Sequence, residues 1–276
     1  MIIDYEQQLR ELVPNVFATV KGETPLSAKL APFVSSAEQW IITTFTSMEV
    51  MRQICLLDDG TPIKVTVERA VVCEAMRTAI PSLDIVLTPN GFGVVSNQNI
   101  APASKERVER LIASLTQQRD DLLDSLLTEL QGFQGWKGTK QYQFFAATLF
   151  PTLELSALCG FKSERWEKYL ELRQRAIEAE ESLAEEYFSQ ELMKDFRLAV
   201  ACGEISDEFA QVIRGVRAQV VAMIDGEPIS TRRMVDLVNF IRCRPESFSA
   251  WHNSSTAEIF TPPVFKNKKK SGGYFF

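Results

Sequence analysis

The sequence predicts a mainly α-helical protein, built from two helical units with one β-hairpin inserted between helices of the first unit. Apolar residues recur at three- and four-residue spacings along most of the chain, and turn residues separate these stretches, which indicates a series of amphipathic helices. The hairpin is predicted at about residues 83–97, where Asn90-Gly91 suits a tight turn between two short extended patterns.

The predicted first domain covers residues 1–131. Its apolar spacing over residues 27–56 indicates either one interrupted helix or two consecutive helices, and Pro62 is a suitable first residue for the next helix. After the hairpin, Ser104 is a predicted N-cap for a helix that reaches Leu130 and is roughly 40 Å long at 1.5 Å per residue. Because an isolated hairpin is marginally stable in water, we expect it to pack against another part of the structure.

The clearest change of composition follows, where Gly132, Gly135 and Gly138 occur close together. We therefore predict a glycine-rich linker over residues 132–141 and a second helical domain over residues 142–260. Residues 261–276 form a predicted tail that is first basic and then aromatic.

Composition and charge disfavour several classes of partner. The net charge of -6 and the pI near 5.1 do not favour direct, sequence-specific binding of nucleic acid, which usually needs a basic surface. No apolar run approaches the roughly 18 residues of a membrane span, so we expect no membrane partner and a cytoplasmic location at synthesis. The five cysteines are odd in number and widely spaced, which favours free thiols in a reducing compartment.

The sequence offers no recognisable catalytic motif. His252 is the only histidine and lies in a polar stretch, which favours an ordinary loop residue over a catalytic base. The glycines of residues 132–138 and of residues 91–93 lack the order that phosphate or dinucleotide loops require. The acidic groups in residues 120–124 and 178–186 are expected to be solvated helix faces. We therefore predict a protein that is not an enzyme and that has no cofactor and no metal site.

Two stretches carry a resemblance to a family. Residues 79–97 (AIPSLDIVLTPNGFGVVSN) and 100–108 (IAPASKERV) resemble an uncharacterised family encoded in prophage-like gene clusters of gut anaerobes. The resemblance implies a virion structural or assembly protein of the head-tail connector kind, a class that forms rings through projecting hairpins or loops and extended termini. It implies self-association, contact with other virion proteins and incorporation into a virion, and it supplies no active site.

The predicted interaction residues lie in the hairpin turn and in the tail, and they are Asn90, Gly91, Phe92, Tyr274, Phe275 and Phe276. Aromatic side chains that enter a neighbour's groove can offset the ordering cost of a short segment, at roughly 25 cal/mol per Å² buried. The open alternative is that these side chains cover the chain's own core. Two other functions also stay open: an intracellular helical adaptor that binds another protein through its acidic helix, and an enzyme whose pocket gathers His252, a cysteine and a carboxylate.

Overall fold

The computed structural model describes Leu9 and Glu11 and then residues 26–83, 85–88, 91–94 and 104–261. Most of its regular elements are α-helices. In chain order they are α1 (Leu26–Thr44), α2 (Met48–Cys55), α3 (Pro62–Leu83), α4 (Lys105–Gln131), α5 (Lys140–Phe145), α6 (Glu154–Leu158), α7 (Arg165–Leu183), α8 (Gln190–Cys202), α9 (Asp207–Ile224), α10 (Thr231–Arg242), α11 (Ser249–His252) and α12 (Ser255–Phe260). A 3₁₀ turn covers Gln134–Trp136, and a π-helical turn, Ala184–Phe188, follows α7.

Helix α3 is the central helix of the first half of the chain, because it packs against both α1 and α4. Buried residues occur on all sides of it, and most of them are small or β-branched, such as Val67, Ala70 and Val71. Such side chains let two neighbouring helices approach at once. The prediction that a helix begins at Pro62 is confirmed. Of the two alternatives for residues 27–56, the structure has two consecutive helices, α1 and α2.

The predicted fold class needs a correction, because the fold is all-α. Every residue described as buried lies in a helix or in a turn between helices, so helices alone build the described core. The short strands β1 (Ile85–Thr88) and β2 (Gly91–Val94) pair antiparallel with each other, with Ile85 opposite Val94, and form a sheet of two strands. Four residues per strand provide no layer on which helices could pack. The prediction that a β-hairpin is an architectural element of the first unit is therefore wrong.

The predicted domain boundary at residues 132–141 is also wrong. Contacts divide the chain into one unit of Met1–Arg175 with Val200–Glu204 and another of Ala176–Ala199 with Ile205–Phe276. The glycine-rich segment belongs to the first unit, where Trp136 is 1% exposed and its Nε1 donates a hydrogen bond of 2.8 Å to the Phe45 carbonyl. The tryptophan between the glycines anchors the segment, so it is a packed turn and not a linker. The boundary instead falls within α7.

The second unit is built around the end of α7 and helices α9 to α12. Helix α9 packs against α10, and both α10 and α12 contact the π-helical turn. The indole of Trp251 is fully buried and donates a hydrogen bond of 2.9 Å to the Tyr187 carbonyl of that turn. Ser206 is the N-cap of α9, since its hydroxyl accepts a hydrogen bond from the Phe209 amide at 3.2 Å.

Candidate protein-docking groove

The predicted interaction residues fall largely outside the part of the chain that the structure describes. Asn90 and the three aromatic residues of the tail, at positions 274–276, lie outside the described residues. Gly91 and Phe92 belong to β2 by their backbone, and the side-chain surroundings of Phe92 lie outside the description. Their role in association therefore stays a prediction.

An aromatic cluster fills part of the first unit and holds Trp166 in place. The Trp166 ring centroid lies 4.7 Å from that of Phe45 and 6.3 Å from that of Phe145. Trp40 and Tyr169 are further neighbours of Trp166, at centroid distances of 6.4 and 6.1 Å. Aromatic pairs at such distances add roughly 0.5–1.5 kcal/mol each beyond their buried area. Trp166 is thus held by rings from several elements, and its position is well fixed.

An open groove of about 410 Å³ lies beside this cluster, and we call it the docking groove. Its lining is mostly apolar and consists of Thr43, Thr44, Lys140, Gln141, Phe144, Trp166 and Leu170. Leu170 is 47% exposed at this surface. The volume falls within the range of roughly 300–1,000 Å³ that is typical of ligand pockets. The docking groove can therefore take up a few apolar side chains of a partner.

Hydrogen bonds to backbone carbonyls fix two sides of the docking groove. The guanidinium of Arg173 lies 3.9 Å from the Phe144 ring centroid, and its Nη2 donates a hydrogen bond of 2.8 Å to the Phe144 carbonyl. Across the groove lining, the Gln141 carboxamide donates a hydrogen bond of 3.0 Å to the Thr43 carbonyl. Lys140 is exposed and forms no ion pair with any residue that the structure describes. The groove thus combines a preformed apolar floor with one available ammonium group.

The first unit also contains a buried ionic cluster around Arg119 of α4. The side chain of Arg119 is 1% exposed and donates hydrogen bonds to the carboxylates of Asp120 and Glu167, each at 2.7 Å from Nη2. Its Nη1 also lies 3.4 Å from a carboxylate oxygen of Glu74. Asp120 in turn accepts a hydrogen bond of 2.7 Å from the backbone amide of Arg165, the first residue of α7. The cluster therefore joins α3, α4 and the start of α7.

The two carboxylates closest to Arg119 differ in the net direction of their pKa shift. For Asp120, desolvation raises the pKa, and the nearby guanidinium of Arg119 offsets only part of that effect. For Glu167, desolvation also acts to raise the pKa, but the hydrogen bond and the charge of Arg119 outweigh it, so its pKa lies below the ordinary value. Every side chain of the cluster has a charged or backbone partner, which is the pattern of a structural ion network.

The expectation that both acidic groups are solvated helix faces is corrected at two positions. Asp120 is fully buried in the ionic cluster, and Glu180 is fully buried and accepts a hydrogen bond of 2.7 Å from Nε of Arg197. The signal was present in the helical spacing: Asp120 lies three residues before the core residue Leu123, and Glu180 lies four residues after Ala176. A charged residue at an apolar stripe position predicts a buried partner.

His252 makes a polar contact with a backbone carbonyl and a ring contact. Its Nε2 lies 3.3 Å from the Ile241 carbonyl, and its ring contacts that of Trp251 at a centroid distance of 5.1 Å. Among the described residues, no group of three or more histidine, cysteine or acidic side chains has the arrangement of a metal site. Within the same residues, none of the helices combines the length and the apolar character needed to cross a bilayer.

Comparison with known proteins gives one finding. Residues 26–146, which run from α1 to just past α5, match a family of unknown function (DUF6712). This match covers less than half of the chain and includes Lys140, Gln141 and Phe144 of the docking groove, whereas Trp166 and Leu170 lie beyond it. Comparison with curated proteins and with solved structures gives no match.

Proposed function

We propose that this protein is a non-enzymatic virion structural or assembly protein, of the head-tail connector kind, that associates with further copies of itself and with other virion proteins. The virion setting rests on the resemblance of residues 79–97 and 100–108. The observation that supports association is the docking groove, whose apolar floor faces solvent in the single chain.

Exposure of the floor has a free-energy cost that a second copy can remove. Leu170 is 47% exposed, and Phe144 is half-buried at the same surface. Covering apolar surface stabilises a complex by roughly 25 cal/mol per Å² before the costs of association. Because rings of the aromatic cluster and Arg173 already hold the floor in place, little further ordering is needed on binding. The groove therefore suits repeated docking between identical subunits.

The experiment is a measurement of molar mass. Light scattering coupled to size-exclusion chromatography over a range of concentrations should show assemblies larger than one chain, and negative-stain electron microscopy of the largest fraction should show rings. The Leu170→Asp variant should shift the protein towards the single chain, because it places a charge on the groove floor.

Leu158→Asp is the matched control, since Leu158 is 50% exposed in the same unit but does not line the groove. It should assemble like the unmodified protein. A single chain at every concentration would contradict the proposal, and so would equal loss of assembly in both variants. Far-UV circular dichroism and the Tm of each variant establish that it is folded.

A second function, an adaptor that binds another protein through its acidic helix, is favoured by the exposure of Glu181, Glu185 and Glu186 at the end of α7 and in the turn that follows. An adaptor of this kind would be a single chain in isolation and would bind a basic partner. Its binding would weaken strongly with salt, because exposed charges are screened within about 8 Å at physiological ionic strength.

A further inference from the structure

We infer that the docking groove accepts the aromatic segment Tyr274, Phe275 and Phe276 of a second copy of this chain. This inference rests on the self-association proposed above and names the part of the neighbour that is bound. It requires that the groove and the segment match in size, in chemistry and in reach.

The aromatic segment and the docking groove match in size and in apolar character. The segment is the only run of three consecutive aromatic residues in the sequence. The groove of about 410 Å³ presents Phe144, Trp166 and Leu170, which are side chains against which aromatic rings pack well. A buried aromatic residue covers roughly 150–250 Å², and aromatic anchors in a preformed pocket commonly dominate binding energies.

The charge beside the groove also favours aromatic rings. Lys140 lines the groove and forms no ion pair with a described residue, so its ammonium is available to an incoming group. A cation within about 6 Å of a ring centroid is attracted to the face of the ring. Arg173 already makes this contact with Phe144 at 3.9 Å. Aromatic residues can therefore satisfy both the apolar floor and the neighbouring ammonium.

The sequence before the segment allows it to extend away from α12. From Thr261, an exposed residue just after α12, the chain to Tyr274 spans at most roughly 45 Å when extended. Four lysines lie within residues 266–270, and Ser271-Gly272-Gly273 separates them from the rings. In an extended chain, Lys270 and Tyr274 are roughly 13 Å apart, which exceeds the Debye length of about 8 Å at physiological ionic strength. Repulsion between these lysines and Lys140 is therefore largely screened.

The direct test is binding of a labelled peptide. A fluorescein-labelled peptide of residues 262–276 is titrated with the full chain lacking residues 274–276, and fluorescence anisotropy is measured. A matched peptide has serine at the three aromatic positions and retains every lysine. The aromatic peptide should bind at least about tenfold more tightly, which corresponds to roughly 1.4 kcal/mol. The difference should persist at 1 M salt, where the Debye length is about 3 Å.

Two groove variants locate the binding site. Leu170→Asp should weaken the aromatic peptide at least about fivefold, whereas Leu158→Asp should leave its affinity unchanged. Lys140→Glu should weaken it roughly twofold to fivefold by removing the cation–ring contact. Because Lys140 is an exposed first residue of α5, where an acidic side chain suits the helix N-terminus, this variant provides a test even if Leu170→Asp fails to fold.

Failure of this inference can be distinguished from failure of the proposed function. If both peptides bind equally, or if the groove variants have no effect, the assignment of the segment is wrong, while assembly of the full chain would still support the proposed function. If the truncated chain binds the peptide but the full chain is single and does not, the segment occupies its own groove and the second-copy assignment is overturned. If the chain lacking residues 274–276 does not assemble alone but associates with Leu170→Asp chains, the inference is supported, because the intact groove and the intact segment then lie on different chains.

Discussion

Arg119 illustrates how a charge is kept in the interior of the first unit. Its guanidinium donates to Asp120 and Glu167 and lies 6.0 Å from the centroid of the Trp40 ring. Burying an unpaired charge would cost several kcal/mol, so these partners offset a penalty and are not a surplus of stability. The cluster fixes which face of α4 meets the start of α7. Removal of one partner is therefore expected to cost more than the pair contributes.

Glu167 should give the protein a pH-dependent stability. Its pKa is lower in the folded chain than its ordinary value, so its contribution is fully present above the unfolded pKa of about 4.3 and is lost as the pH falls through the folded pKa. The Glu167→Gln variant should be less stable by about 1 kcal/mol at pH 7, a figure reduced because the side chain is 44% exposed. Urea denaturation from pH 7 to pH 3 measures the free energy of unfolding.

The difference in unfolding free energy between the unmodified protein and the Glu167→Gln variant should shrink below about pH 4.3 and then disappear. Asp120 acts with the opposite sign, because its raised pKa means that protonation at low pH relieves a cost of burial. Both proteins contain Asp120, so its effect largely cancels in the comparison. A difference that is constant with pH would contradict the assigned role of Glu167. Glu171→Gln, in an exposed pair with Lys168, is the control and should have little effect.

The pair of Glu180 and Arg197 allows a test in the second unit. Arg197→Met removes the guanidinium whose Nε lies 2.7 Å from the fully buried Glu180 carboxylate. Leaving that carboxylate without its cation should cost roughly 3 kcal/mol of unfolding free energy. The double variant with Glu180→Leu should recover most of the loss, because neither charge then remains. Denaturant titrations of the four proteins measure the coupling, and additive losses would count against a buried ion pair.

At the scale of elements, the segment between α4 and α5 shows why a glycine-rich stretch can be rigid. Trp136 is almost fully buried, and the Thr139 hydroxyl accepts a hydrogen bond of 3.0 Å from the Tyr142 amide at the start of α5. The glycines permit close turns, while the indole and the helix cap hold the segment in one position. The length of α4, Lys105–Gln131, agrees with the predicted helix, although Ser104 makes no side-chain capping bond.

Trp136→Phe tests this description of the segment. The change retains a ring but removes the donor to the Phe45 carbonyl, which lies in the buried core. We expect a loss of about 1–3 kcal/mol in unfolding free energy, measured by urea denaturation. Gln134→Ala, at an exposed position of the same turn, should change stability by less than about 0.5 kcal/mol. Two equally small effects would instead favour the linker that the glycines suggest.

At the scale of the whole molecule, the chain consists of two compact units, and α7 contributes residues to both. The docking groove belongs to the first unit, whereas α12, the last described helix, belongs to the second. In the proposed assembly, the groove of one copy accepts the aromatic segment of the next, so further copies could be added in succession. Such head-to-tail contacts close into a ring when the rotation between subunits permits it.

Periodic apolar spacing was sufficient to predict the helical class and the positions of α3 and α4, because an amphipathic helix must present one apolar side to its neighbours. The two strands were too short to form a layer, and only the packing of the described core established that the fold is all-α. Likewise, glycine composition could not reveal that Trp136 is buried. The docking groove could not be predicted from the sequence, because Lys140 and Phe144 lie on α5 whereas Leu170 lies on α7. Local spacing determines which side of a helix is apolar, whereas contacts between distant residues decide what covers it and what stays open.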